Sequence, residues 1–117
     1  MTTLNICIAG GGIGGLTTAL SAAREGHEVT LLEQGRAFTE VGAGIQISPN
    51  ASRVLHHLGL EPALAEVAFL PKGTQFRNWR TAKVISESTL GDAALQRYGA
   101  PYYHIHRGDL LRVLVDA

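Results

Sequence analysis

Leu4-Asn5-Ile6-Cys7-Ile8-Ala9-Gly10-Gly11-Gly12-Ile13-Gly14-Gly15 is the stretch on which the fold turns. Its first six residues form a short, mostly apolar run closed by glycine, the pattern of a strand buried on both faces of a parallel sheet. Cys7, the single cysteine, is expected to sit inside that strand as a small buried hydrophobe, with no partner for an intrachain disulfide. Ile13, Leu16, Leu20 and Ala23 then recur at spacings of three and four and define one apolar helical face, with Gly26 placed for a left-handed C-cap. Glu28-Val29-Thr30-Leu31-Leu32-Glu33 returns to strand character. Residues 4 to 33 therefore read as a β-α-β unit of about the usual 30 residues, joined by a right-handed crossover.

The turn between strand and helix carries the chemistry. Gly10, Gly12 and Gly15 satisfy G-x-G-x-x-G in the context that gives the pattern meaning, directly after a strand and opening a helix. Gly10 permits the tight turn, Gly12 lets the backbone approach a pyrophosphate without a Cβ, and Gly15 lets the helix lie close to the strand. Free N–H groups and the dipole at the helix N-terminus then attract a diphosphate. Glu33, eighteen residues after Gly15, ends the second strand, where a carboxylate can accept from adenosine ribose hydroxyls and would repel a 2′-phosphate. Glycine turn and carboxylate together fit NAD and FAD equally; a bare structural turn and a solvated strand-end carboxylate are the bland alternatives.

Outward from this unit, Ser48-Pro49-Asn50 offers an N-cap followed by proline at the first helical position, with Val54, Leu55 and Leu58 as the buried side before Gly59. Residues 61 to 68 also look helical. Thr74 to Ser88 alternates around Phe76, Trp79, Val84 and Ile85 and reads as a hairpin turning near Thr81 to Lys83. Phe76 and Trp79 are assigned to core or hairpin packing rather than to a cofactor stack. Tyr102 to His106 is a further strand, giving about three candidates for the parallel sheet, and Leu110, Leu111, Val113 and Leu114 mark a closing helix. A doubly wound fold normally has five or six strands. The expected fold class is thus α/β, a Rossmann-like β-α-β unit with a parallel sheet plus a β-hairpin, incomplete relative to a full dinucleotide-binding fold.

Bulk composition narrows the partners. The 117 residues are 45% apolar, with ten basic and ten acidic side chains and a formal net charge of zero. That balance lacks the basic field on which nucleic-acid or anionic-membrane binding depends, so a small-molecule partner is expected, with no nucleic acid and no membrane. Met1 to Ala23 is apolar, yet no Lys or Arg precedes Arg24 and glycines interrupt the run, unlike a signal peptide. No apolar stretch approaches the roughly 20 residues of a bilayer span. The expected location is cytoplasmic.

Beyond the glycine turn, Val41-Gly42-Ala43-Gly44-Ile45-Gln46-Ile47-Ser48-Pro49-Asn50-Ala51, a helix ending Leu58-Gly59-Leu60, then Tyr98-Gly99-Ala100-Pro101-Tyr102-Tyr103 and His106-Arg107-Gly108-Asp109-Leu110-Leu111 follow in order. This succession resembles the FAD-dependent aromatic hydroxylases, the flavoprotein monooxygenase group that includes salicylate hydroxylase and 3-hydroxybenzoate 6-hydroxylase, over essentially the whole chain. The resemblance implies FAD as cofactor, NAD(P)H as electron donor, and O2-dependent hydroxylation of a small aromatic substrate such as a hydroxybenzoate. It places Gly12 and Ile13 against the diphosphate, Glu33 on the adenosine ribose, Arg36 near the adenosine side, the Gly42 to Ile45 loop, with Gly44 and Ile45, near the flavin, and Arg107 on its ribityl or phosphate portion. A guanidinium in the first turn of a helix opposes the dipole, and so makes physical sense where an anion is shared; simple exposure is the alternative. The resemblance further implies that residues 1–117 are the N-terminal part of an FAD-binding domain, with the substrate domain and C-terminal part absent, and that this piece is inactive alone. No catalytic base is assigned. The competing reading is a free-standing NAD-binding module or small dehydrogenase, against which stands the lack of a Tyr-x-x-x-Lys pair.

The histidines attract ordinary readings. His56 and His57 are adjacent on a helix, not at the i, i+4 spacing that aims two imidazoles at one metal, so no metal site is expected. His104 and His106 alternate on a strand and read as structural or substrate-adjacent.

Overall fold

A computed structural model describes residues 2–38 and 42–117; Met1 of the amino-terminal run and Val41 of the glycine-alanine-glycine segment lie outside them. The elements run β1 (Asn5–Ala9), α1 (Ile13–Arg24), β2 (Glu28–Leu32), β3 (Gly44–Ile47), α2 (Pro49–His57), α3 (Glu61–Val67), β4 (Gly73–Arg77), β5 (Val84–Thr89), α4 (Asp92–Tyr98), β6 (Tyr103–His106) and α5 (Arg107–Asp116). β1 and β2 pair in parallel from Asn5↔Glu28 to Ala9↔Leu32, with α1 as the crossover. This is the expected β-α-β unit. Gly26, at φ +84°, takes the left-handed conformation that ends α1.

Two expectations about the strands are corrected. The third candidate for the parallel sheet, β6, pairs antiparallel with β3, from Gly44↔His106 to Ile47↔Tyr103, so the parallel sheet of the described residues has two strands. β1 is not buried on both faces either. Ile6 and Ile8 are half-buried, Ile8 beside Gly15 of α1, whereas Cys7 is exposed. With a pleat of period two, Cys7 points opposite to Ile8, away from the layer that α1 supplies.

The core gathers between α1, the β3–β6 pair and the helices around it. Leu16 of α1, Ile47 of β3, Leu55 of α2, Leu64 of α3, Tyr103 and Ile105 of β6, and Leu110, Leu111 and Leu114 of α5 form one cluster. Leu110, Leu111 and Leu114 share one face of α5, as the i, i+3, i+4 rule requires. Full burial of side chains such as Leu64, Leu110 and Leu114 is worth about 1.5–3 kcal/mol each. Ser52 of α2 is fully buried because its hydroxyl donates to the Pro101 carbonyl at 2.6 Å, pinning α2 to the segment that enters β6. Ser48 does stand at the N-cap of α2, but its hydroxyl donates to Asn50 Oδ1 at 2.5 Å instead of capping the helix.

The β4–β5 hairpin is where expected, turning over Asn78, whose Oδ1 accepts from the N–H groups of Arg80 and Thr81. Its aromatics are not core residues. Phe76 is 69% and Trp79 84% exposed, and the Arg80 guanidinium lies over the Trp79 ring, 4.7 Å from its centroid. All of β5 is exposed. The radius of gyration, 17.3 Å, exceeds the roughly 13 Å of a compact domain of this length.

Candidate cofactor site

The site begins where β1 ends. Gly10 takes φ +108°, a conformation open essentially to glycine, and its N–H donates to the Leu32 carbonyl at 2.7 Å, tying the turn to the end of β2. A Cβ on Gly15 would fall onto the Gly10 carbonyl oxygen and within 3.5 Å of Ile8 Cγ2. Gly15 is therefore the glycine of close approach between helix, turn and strand. A Cβ on Gly12 would meet nothing within 4 Å, so the space above Gly12 is open to a ligand.

Gly12 is also the N-cap of α1. The first intrahelical bond runs from Leu16 N–H to Gly12 C=O at 2.9 Å, no side chain caps the helix, and no acidic residue lies in its first turn. The N–H groups of Ile13, Gly14 and Gly15 precede that bond and have no acceptor within the helix, where the dipole favours an anion. Ile13 contributes only its backbone here, because its side chain packs against the core cluster.

Glu33 faces this turn from the end of β2. One carboxylate oxygen accepts from Gly11 N–H at 2.6 Å and the other from Gly35 N–H at 2.8 Å. The Gly35 donor, then the Gly11 donor, hold the carboxyl below its ordinary value, with partial desolvation opposing them. Two adjoining clefts open around it. One of ≈ 520 Å³ is lined by Ala9, Gly10, Leu32, Glu33 and Gln34. The other, of ≈ 320 Å³, is lined by Gly11, Gly12, Glu33, Gly35, Arg36, Ala37, Phe38 and Leu111. Arg36, itself exposed, is thus brought into one cleft with Gly12 and Glu33.

Arg107, Gly44 and Ile45 come together at a second place. Arg107 is the first residue of α5, after an N-cap in which His106 Nδ1 accepts from Gly108 N–H at 3.3 Å. Its backbone N–H reaches the Ala43 carbonyl at 3.3 Å, and its half-buried side chain passes so close to Gly42 that a Cβ there would lie 3.2 Å from Arg107 Cδ. Gly44 opens β3 opposite His106, and Ile45 turns towards the core. Arg107 and Leu111 are one helical turn apart and share a face; Leu111 lines the cleft with Gly12. α5 therefore connects the two groups of residues.

Residues 5–110 match the model of a family described as FAD dependent oxidoreductase. The chain belongs to the FAD-dependent oxidoreductase family. Among curated relatives, it is 46% identical over 111 residues to 3-amino-4-hydroxybenzoate 2-monooxygenase of Streptomyces platensis, covering 95% of this chain and 28% of that protein. It is 43% identical over 111 residues to 3-hydroxybenzoate 6-hydroxylase of Klebsiella oxytoca, covering 94% of this chain and 28% of that one. Among solved structures, 2-methyl-3-hydroxypyridine-5-carboxylic acid oxygenase superposes with a TM-score of 0.81 at 30% identity, over 98% of this chain and 29% of that one. The chain thus spans little more than a quarter of the relatives it matches.

In a member of this family, an α1 N-terminus without a side-chain cap, an open Gly12 and a fixed Glu33 carboxylate are the features a dinucleotide's diphosphate and ribose call for. The residues present fit the group. Sequence reasoning missed Gly11 and Phe38. Gly11 sits at an x of the motif, yet it is buried, and a Cβ there would lie 2.5 Å from Phe38 Cε1; no pattern in the sequence links a residue of the turn to an aromatic 27 positions later. His56 is tied to Tyr103 at 2.8 Å. Among the described residues, no three His, Cys, Asp or Glu side chains cluster as metal ligands, and no helix is long and apolar enough to cross a membrane.

Proposed function

We propose that this chain is the N-terminal part of the FAD-binding domain of a monooxygenase that hydroxylates a small aromatic compound of the hydroxybenzoate kind, with NAD(P)H as electron donor and O2 as co-substrate. One observation carries the reading above all others: Glu33, held by Gly11 and Gly35 N–H groups, stands beside the open α1 N-terminus at Gly12. A diphosphate would rest on the N–H groups of Ile13 and its neighbours, and the adenosine ribose would donate to the oxygen lone pairs that Glu33 has left. Arg36 would lie on the adenosine side, and Arg107, near Gly42 and Gly44, would meet the ribityl or phosphate portion. The flavin supplies redox chemistry with O2 that no side chain here provides. The protein's own residues would bind it, orient it and balance its charge. The relatives named above, whose names describe oxygenation of aminohydroxybenzoate, hydroxybenzoate and hydroxypyridine-carboxylate rings, support the substrate class.

The test is a titration of the 117-residue chain with FAD, FMN and NAD, followed by flavin fluorescence and melting temperature. Saturable binding with FAD preferred over FMN and no response to NAD is the expected result. Binding of NAD alone would replace the flavoprotein reading with a dehydrogenase-like module.

A further inference from the structure

Three groups from two distant segments converge on the turn. Gly11 is buried, and the volume a side chain would fill there holds Phe38 Cε1 at 2.5 Å, Phe38 Cδ1 at 2.9 Å and Glu33 Oε2 at 3.0 Å. The same Glu33 oxygen takes the Gly11 N–H at 2.6 Å. The Phe38 ring, 44% exposed, lines the cleft that also holds Gly12, Arg36 and Leu111. A singly exposed apolar side chain needs no explanation. This one differs because its contact falls on a bare glycine backbone, next to a carboxylate with one specific job.

We infer that Phe38 is a positioning residue for the adenosine end of the cofactor: its ring clamps the Gly11 peptide against the Glu33 carboxylate, and the clamp favours a dinucleotide flavin over a mononucleotide. The inference rests on the flavin reading above. A carboxylate has about four lone-pair sites. Gly11 and Gly35 take one on each oxygen, which fixes the plane of the group and the direction of the lone pairs that remain. A ring lying against one of those bonds keeps water from competing for the Gly11 N–H, and a hydrogen bond shielded from water is stronger than an exposed one. Remove the ring and the carboxylate can turn, so the ribose meets a mobile acceptor instead of a fixed one. FMN, which has no adenosine, does not use this acceptor.

The test compares Phe38→Ala, Phe38→Tyr and Gly11→Ala with the parent 117-residue chain, by amide hydrogen exchange at Gly11 and Gly35 and by FAD and FMN affinity. Phe38→Ala should speed exchange at Gly11 about 10-fold or more, the scale of a lost hydrogen bond to a charged group. It should weaken FAD about 10-fold and FMN less than about 2-fold. Phe38→Tyr keeps the ring and should restore both readouts. Gly11→Ala pushes the ring away from the other side and should reproduce the FAD-selective loss, which keeps the inference testable if Phe38→Ala fails to fold. Unchanged Gly11 exchange, or equal losses for FAD and FMN, would overturn the clamp. A parent chain that binds neither flavin would sink the flavin reading instead, and the exchange measurement would still decide whether the ring holds Glu33 in place.

Discussion

Gly15 and Gly10 touch: the Cβ that any other residue would carry at Gly15 points into the Gly10 carbonyl oxygen, whereas the Cβ position of Gly12, three residues earlier, meets open space. One glycine of the motif serves the protein's own packing, and the other leaves the space in which a ligand is proposed to lie. Gly15→Ala must move backbone against backbone and should cost about 1–3 kcal/mol of stability or more. Gly12→Ala, at an extended φ of −77°, should change the melting of the free chain by no more than about 1 kcal/mol yet abolish retention of FAD. Chemical denaturation and flavin titration of the two variants separate these outcomes. A Gly12→Ala chain that binds FAD normally would remove the close-approach role.

Glu33 should make the site sensitive to acid. Its carboxyl is held below its ordinary value by the Gly35 and Gly11 N–H donors. A group with a depressed folded-state pKa contributes stability that is fully present above the unfolded value and is lost as pH falls through the folded one. FAD affinity and melting temperature should therefore stay level on the neutral side of the ordinary carboxylate range and decline below it. Glu33→Gln places an N–H2 where one backbone N–H now donates. It should lower FAD affinity at neutral pH about 10-fold and remove the acid step. An acid step that persists unchanged in Glu33→Gln would assign it to another group.

What the sequence reveals of this site follows from how local each feature is. The β1-turn-α1-β2 unit and Glu33 were legible because glycine spacing, apolar period and strand-end position all lie within 30 or so consecutive residues. The place of Arg107 in the first turn of α5 was legible from the apolar helical pattern that follows it. β3 was not, since four residues punctuated by Gly44 become a strand only against β6, some 60 positions away. α4 is seven residues between Gly91 and Gly99, both with positive φ, and is too short for a helical period to declare itself. The Gly11–Phe38 contact is tertiary and leaves no trace in spacing. The core half of the reading for Phe76 and the burial expected of Cys7 went wrong for a shared reason: an apolar residue in a strand pattern says which face it is on, not whether anything covers that face.

A hydrogen bond between α2 and β6 gives a test of the fold that does not involve flavin. Tyr103 Oη lies 2.8 Å from His56 Nε2, and His56 Nδ1 lies 3.7 Å from Glu61. Burial first, and the Glu61 charge second, push the Tyr103 phenol above its ordinary value. Its contribution to stability is complete below the unfolded phenol value and disappears as pH rises through the folded one. Tyr103→Phe should cost about 1 kcal/mol and flatten the alkaline limb of the melting profile. An alkaline limb unchanged in Tyr103→Phe would contradict this assignment.

Arg107 and Glu33 should fail in different ways, because they are assigned to different ends of one cofactor. Arg107 lies with Gly42 and Gly44 at the start of α5, while Glu33 lies with Arg36 beside the glycine turn. The ribityl-phosphate portion belongs to FMN as well as FAD; the adenosine ribose belongs to FAD alone. Arg107→Met keeps much of the side chain's bulk against Gly42 and removes the charge, so it should weaken FAD and FMN together, each about 10- to 100-fold, as expected for losing a charge-assisted hydrogen bond. Glu33→Ala should weaken FAD strongly and FMN hardly at all. Fluorescence titrations of both variants with both flavins give four affinities, and only this pattern fits the two assignments jointly. A selective FAD loss in Arg107→Met would move the guanidinium to the adenosine side, next to Arg36.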